Sequence, residues 1–489
     1  MDDLRNAVSA ATSFEQASQA AINHAVDWDS VPLGQFMGDG LQLAALMGRD
    51  AVFREVDGET DTDFFADAES FGQPFKEQIE FFEQKNTRPT RRWTDAMRGT
   101  HDRAFVVAGA ADDDMLKDFQ NSLLKSMKEG TTFAEFQNDF DTIVAKYGWE
   151  FNGERQRRAR TIFETNMRTS YAAGRLAQMR DPDVLALRPF WQYKHGVTRK
   201  PKIPRERHKG WDGTVLPHDD PFWDTNYPPN GWKCSCGVVT LSQRDLERDG
   251  KTGPDASPIL GREPFIDPVT GKLGEKVQHV DYGFDYQPGD LWERGLVPSN
   301  IIREAGGVTK QGRGLIATID EPRPLQELID DAVPFETDVL EDGLDEEAYL
   351  AAFLDEFGAT PGQAIRFVDK DGTSIPISAE LFRERGGDLK VTKRGRETFV
   401  RQIAETIKDP DEIWLGVREV KVPNFKATEI VVDRRYIRVD QNTGLIVVFQ
   451  IGSDGWEEIT AFPQSQRGKL NVSGLQARRH GKLVYERKE

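Results

Sequence analysis

The only two cysteines in this 489-residue chain, Cys234 and Cys236, stand one residue apart. Residues that close cannot form a relaxed disulfide, so a secreted disulfide scaffold is excluded and every domain must rest on buried apolar surface or on a metal. At roughly 100–200 residues per domain the length predicts two to four domains, each large enough for its own core. Hydrophobic residues make up 38% and charged residues 30%, as expected of a water-soluble chain with several modest cores. No run approaches 18 apolar residues, and the N-terminus opens acidic without a signal-peptide core. The expectation is a reduced, cytoplasmic protein with no membrane span.

The net charge of −18 argues against a general nucleic-acid coat and against wholesale binding to anionic membranes. It hides two opposed segments. From Glu154 to Lys209 there are 15 Lys and Arg against 5 acids, and from Asp320 to Glu356 there are 14 acids against one base, Arg323. The acidic stretch also holds Pro322, Pro324, Pro334 and Gly343, and reads as a solvated or loosely helical connector.

Residues 1–150 read as mostly helical. Leu41, Leu43, Leu46 and Met47 recur at helical steps, as do Phe75, Ile79, Phe81 and Phe82 in a helix expected to end at Asn86. A third apolar face runs from Met115 to Met127 and stops near Gly130; Thr131 or Thr132 can cap the next helix. Residues 154–180 form the clearest helix, apolar from Ala159 to Met179 on one side, arginine-rich on the other, and stopped by Asp181-Pro182. From Pro189 to about 260 the texture turns to short, Trp-rich, proline-punctuated segments, followed by poorly patterned Gly/Pro sequence to about 315. The last ~130 residues predict an α+β domain: two helices, then strands at 411–420, 429–440, 444–452 and 455–463 as an antiparallel meander.

Three of the seven histidines, His195, His208 and His218, fall within 24 residues just before the cysteines. The spacing His208-x9-His218-x15-Cys234-x-Cys236 suits zinc, which takes thiolate and imidazole in tetrahedral sets and contributes most where regular structure is sparse. With four protein ligands such a zinc is structural. The same residues also fit a plainer reading, two reduced small side chains beside surface histidines.

The segment WQYKHGVTRKPKIPRERHKGWDGTVLPHDDPFWDTNYPPNGWKCSCGV resembles the phage Mu F-type minor head proteins of the head morphogenesis family. RRWTDAMRGTHDRAFVVAGA, KYGWEFNG and ETNMRTSYAAGRLAQM resemble the same family in the same order, over roughly residues 40–245. The resemblance implies a minor component inside the procapsid near the portal vertex, partnered by the portal protein and by the major capsid or scaffold protein. It also implies metal-binding cysteines and histidines. His208, Cys234 and Cys236 fall on those positions; His218 is the expected fourth ligand and His195 its rival. Ser235 stands where the family commonly has an arginine. Residues 151–260 are thus expected to form the head-morphogenesis module.

Arg155, Arg157, Arg158, Arg160, Arg168, Arg175 and Arg180 give the 154–180 helix a cationic side that could meet packaged DNA or an acidic portal surface, or simply be solvated. Glu164 and Arg175, which belong to the family-like pattern, are expected to form an internal ion pair.

Beyond an irregular and acidic linker at 261–360, residues 361–489 resemble the barnase-, EndoU-, colicin- and RelE-like nuclease domains found fused to Mu F-type proteins, through ISAELF, the helix start at Lys393 and Arg396, DPDEIW, TAF and HGKLVYE. Metal-independent RNA cleavage needs a base near the 2′-hydroxyl and cations for the phosphate. Lys393, Arg396, Arg435 and Thr460 are the candidates, with His480 as acid or base. Surface arginines and a strand threonine are also ordinary features, so an inactive head component is the alternative to an RNase-like effector delivered with the genome. RNA is a partner only on the second reading.

Overall fold

The computed structural model describes residues 75–488 other than 197–204, 267–270, 272, 312–313, 363–364, 383–388, 393–394, 423, 441–442, 452–455, 464 and 467–468. The expected helix around Leu41–Met47 and the candidate Lys393 lie outside the described residues. The described chain divides into two compact units. One comprises Ala177–Asp220 and Ser235–Pro258, the other Gly72–Leu176, Pro221–Cys234 and Ile259–Glu489.

In the larger unit four helices form the first core: α1 (Lys76–Glu83), α2 (Asp113–Glu129), α3 (Phe133–Tyr147) and α4 (Arg155–Met179). α1 ends three residues short of Asn86. The Asp112 carboxylate accepts the Met115 N–H at 2.9 Å to start α2, which stops at Gly130 in a left-handed conformation, φ 68°. Thr132, not Thr131, caps α3 in a box with Glu135. Phe82, Phe119, Phe140, Ala159 and Ile162 meet in the core beneath them.

The smaller unit carries a three-stranded antiparallel sheet with β1 (Phe190–Lys194) between β2 (Val215–Pro217) and β3 (Gly237–Leu241). The alternation of β1 buries Trp191 and Tyr193. Arg188, buried, ties the sheet together by bonding the Thr240 carbonyl at 2.6 Å and pairing with Asp245 at 3.1 Å.

The C-terminal part of the larger unit is α+β, as expected. Its sheet comprises β4 (Glu412–Lys421), β5 (Thr428–Val439), β6 (Gly444–Ile451), β7 (Trp456–Pro463) and β8 (Lys482–Glu486), in the order β7-β6-β5-β4-β8. The first four make the meander read from the sequence. β8 is an addition that pairs antiparallel with β4. The helix α7 (Val400–Lys408) buries Val400, Ile403, Ala404 and Ile407 against the sheet.

The acidic stretch is not a free connector. It forms helices at Leu325–Asp330 and at α6 (Glu346–Asp355), and Tyr349, Leu350, Phe353 and Leu354 are buried in the core that holds Ile413, Val432 and Phe449. Leu328 is buried on the opposite sheet face beside Trp414 and Ile437. Upstream, α5 (Pro298–Glu304) adds Ile301, with Leu291, Leu296 and Val297, to the first of these cores. The acids stay at the surface while an apolar residue every few positions enters the fold, which a net-charge count does not register.

Candidate metal centre

His208, Cys234 and Cys236 come together with their ligand atoms all within 4.8 Å of one another, and all three residues are buried. His208 sits on a single helical turn, Glu206–Lys209, with its ring stacked on Trp211 at a centroid distance of 5.6 Å and an interplanar angle of 13°. Trp211 in turn packs edge-on against Tyr193 of β1. The Cys236 sulfur lies 3.9 Å from His208 Nδ1. A tetrahedral zinc with bonds of about 2.3 Å to sulfur and about 2.0 Å to nitrogen holds such a pair about 3.5 Å apart, so little movement separates the pair from a bound geometry. The donor set is also chemically suited: two soft thiolates and an imidazole, shielded from water. These residues can hold a metal ion.

The turn that presents the cysteines is fixed from several directions. The Cys234 N–H donates to the Gly231 carbonyl at 3.0 Å, and Lys233 adopts φ 60° to close the turn. Buried Arg168 of α4 donates from Nη1 to the Cys234 carbonyl at 3.3 Å. The Trp232 N–H donates to Asp281 at 3.0 Å. Gly196 lies so close that an added Cβ would fall on the Ser235 carbonyl. Ser235 between the cysteines is 2% exposed, a position in which an unpaired guanidinium would be costly.

His218 is not in this cluster. β2 leaves the sheet beside the start of β1, with Phe190 opposite Pro217 and the His218 N–H donating to the Pro189 carbonyl. Cys236 enters β3 at the other end, where Gly237 is opposite Lys194. Five residues of strand, about 16 Å, separate the two ends. The His218 ring instead lies 6.3 Å from that of Trp191. The rival, His195, is likewise outside the cluster; it follows Lys194 directly, at the cysteine end of the sheet, and its N–H donates to Asp212 at 2.9 Å.

The expected cationic side of α4 is mostly consumed internally. Arg155 pairs with Asp141, Arg158 donates to the Ala108 carbonyl, and Arg160 pairs with Glu164 at 3.2 Å. Arg168 and Arg175 are 8% and 3% exposed. Glu164 pairs with Arg160 and Arg168, one turn away on either side. The expected Glu164–Arg175 pair is not made, because eleven residues along one helix separate them by about 16 Å.

Of the nuclease-type candidates, Arg435 and His480 are in contact. Arg435 is 1% exposed, and its Nη1 donates to His480 Nε2 at 2.9 Å and to the Arg478 carbonyl at 2.8 Å. Since arginine only donates, His480 Nε2 must accept, which puts the ring proton on Nδ1. Burial and the Arg435 charge push the His480 pKa down to about 4. Thr460 is on the same face, in register with Val448, which is in register with Arg435. Two strand spacings, roughly 10 Å, separate Thr460 from Arg435. Arg396 stands beside Thr460, at the carbonyl of the preceding residue, Ile459. Its guanidinium is buried and donates to the carbonyls of Val391 and Ile459 at 3.1 and 3.2 Å, and to that of Lys390, so it ties the 390–396 turn to the strand that carries Ile459. A pair the sequence reading missed is Arg479–Glu412, both side chains 0% exposed, with contacts of 2.5 and 2.8 Å. Among the described residues no helix is long and apolar enough to cross a membrane.

Both resemblances have counterparts among known proteins. Residues 117–239 match the family model described as Phage Mu protein F like protein. Residues 352–486 match the model described as phage-Barnase-EndoU-ColicinE5/D-RelE like nuclease2. The chain is 32% identical over 243 residues to the putative capsid assembly protein F of Escherichia phage Mu, a stretch covering 44% of this chain and 54% of that protein. It is 29% identical over 200 residues to the Mu-like prophage FluMu F protein of Haemophilus influenzae, covering 39% and 47%. The chain thus spans about half the length of the curated relatives it matches. No solved structure matches it.

Proposed function

We propose that this chain, carrying a Mu F-like segment followed by a nuclease-like segment, is a minor component of a phage head that acts during capsid assembly. The observation that carries the reading is the coincidence of the buried His208–Cys234–Cys236 cluster with the Mu F-like match at 117–239. In this reading zinc is held by His208, Cys234 and Cys236. The metal supplies structural cross-linking where the chain is short of regular structure, and no chemistry is routed through it. The partners are the portal protein and the major capsid or scaffold protein, met inside the procapsid. Packaged DNA is a minor partner at most, since internal acids and carbonyls take up most of the arginines of α4.

A second reading is favoured by the 352–486 match: the head protein carries an RNase-like domain delivered with the genome. Arg435 and Thr460 lie in one row across the sheet and His480 contacts Arg435, although Arg435 is engaged with carbonyls. Disrupting the gene in the phage tests the primary reading. Heads that fail to form or lack portals support it; normal yields of filled, infectious heads contradict it.

A further inference from the structure

A cavity of about 520 Å³ opens between α5, the turn after residue 368 and the β4–β8 edge of the C-terminal sheet. That volume falls within the range of small-molecule sites. Its floor is apolar, formed by Leu296, Ile301, Leu415 and Val484. Leu415 is directly opposite Arg434 on β5 and Lys482 on β8, so one row across three strands reads cation, leucine, cation.

The two cations differ in freedom. Arg434 is 1% exposed and immobilised: it donates to Asp369 at 2.7 Å and to Asp371 at 2.8 Å, while the Tyr436 hydroxyl also donates to Asp369. Lys482 is 41% exposed on its side chain and reaches Glu304 at 2.9 Å. Arg294, which pairs with Asp290 at 3.2 Å, and Arg303 stand at the mouth, so three of the four lining cations already pair with carboxylates and the charge on offer is that of Arg303. Arg303 is exposed and has no carboxylate within ion-pair distance among the described residues; its polar contact is Asn300 Oδ1 at 3.5 Å.

An apolar floor beside guanidinium and ammonium groups suits a ligand that is part flat ring and part anion. Arginine and lysine recognise phosphate through charge-assisted hydrogen bonds. Glu304 and Asp371, each paired with a lining cation, repel a bare anion yet keep lone pairs that suit ribose hydroxyls, while Asn300 is held in place by its amide donating to the Trp292 carbonyl at 3.0 Å.

We infer that this cavity is a nucleotide site, taking a phosphorylated nucleoside with its ring on the Leu296–Ile301–Leu415–Val484 floor and its phosphate between Arg303 and Lys482. The site is built partly from residues 294–304, outside the nuclease-like match, and requires neither strand cleavage nor a head role. The ligand is a free mononucleotide or the phosphorylated end of a single strand.

Calorimetry on the full chain tests this with adenosine 5′-monophosphate, adenosine, inorganic phosphate, and a short oligoribonucleotide with and without a 5′-phosphate. The monophosphate should bind about tenfold more tightly than adenosine or phosphate alone. Arg303→Glu and Lys482→Glu, both at the surface, should each weaken it about tenfold, the scale of one lost charge-assisted contact. Val484→Trp, which fills the floor, should abolish binding while circular dichroism stays unchanged. Phosphate-dependent binding of the oligonucleotide assigns the site to strand ends; binding of the mononucleotide alone assigns it to free nucleotides. No binding, equal binding of phosphate alone, or binding that survives both charge reversals would overturn the assignment.

Discussion

The Cys236 sulfur faces His208 Nδ1 across 3.9 Å, with Cys234 close by and an indole stacked behind the imidazole. Two thiols and an imidazole in a dry pocket have little to gain from one another without an ion between them. The first prediction follows from that. Purified protein should contain one zinc per chain by elemental analysis, and chelation should lower its melting temperature by several degrees. Cys234→Ser and Cys236→Ser should each lose the zinc, whereas His218→Ala should keep it. Metal-free protein with an unchanged melting curve in chelator would remove the metal from the account.

Gly196 offers a second test of the same turn. Gly196→Ala places a methyl group on the Ser235 carbonyl and must displace the cysteine turn. Zinc content should fall in this variant although no ligand is altered. Retention of a full equivalent of zinc would contradict the packing described.

His480 makes stability depend on pH. Its folded pKa is pushed down to about 4 by burial and Arg435, whereas an unfolded histidine titrates near 6.5. Between those values the unfolded chain takes up a proton that the folded chain refuses, so stability falls as pH drops from about 6.5 toward 4 and is unaffected above. His480→Gln can still accept from Arg435 but does not titrate. In denaturant titrations at pH 7.5 and 5.0 the variant should lose less stability on acidification than the parent. Equal losses would contradict the assignment.

Glu412 and Arg479 form a fully buried pair that anchors the turn before β8 to β4. Breaking a buried pair by removing one partner costs about 3–5 kcal/mol, while replacing both with apolar groups is often neutral. Glu412→Gln should therefore destabilise the C-terminal domain on that scale, and Glu412→Leu combined with Arg479→Met should recover most of the loss. A double variant no better than the single one would argue that the pair's other contacts, to the Trp414 indole and the Arg323 carbonyl, dominate.

The C-terminal core draws on Leu291, Val297, Ile301, Tyr349 and Phe353 as well as on the sheet. Residues 361–489 expressed alone should show no cooperative unfolding transition and should bind a hydrophobic dye, whereas residues 286–489 should unfold cooperatively. Cooperative unfolding of the shorter piece would show that the upstream helices are dispensable.

What the sequence disclosed and what it hid divide by range. The α4 helix, the Thr132 cap and the four meander strands rest on local periodicity and turn chemistry, and they lie within a few residues of expectation. The Cys-x-Cys pair with His208 was legible because the donor types are rare and clustered. That His218 stands apart from them was not, since it depends on the register of β1 against two strands distant in sequence. Arg396 looked like a phosphate ligand because its charge is visible in sequence and its three carbonyl partners are not. Likewise the −13 stretch concealed Leu328, Tyr349 and Phe353, whose burial is a tertiary fact.

The central claim, that this chain is built into a phage head, is tested most directly by quantitative mass spectrometry of purified DNA-filled heads. The account predicts peptides from both the Mu F-like and the nuclease-like segments, at a few copies per portal. Complete absence of the chain from both filled heads and procapsids would contradict it.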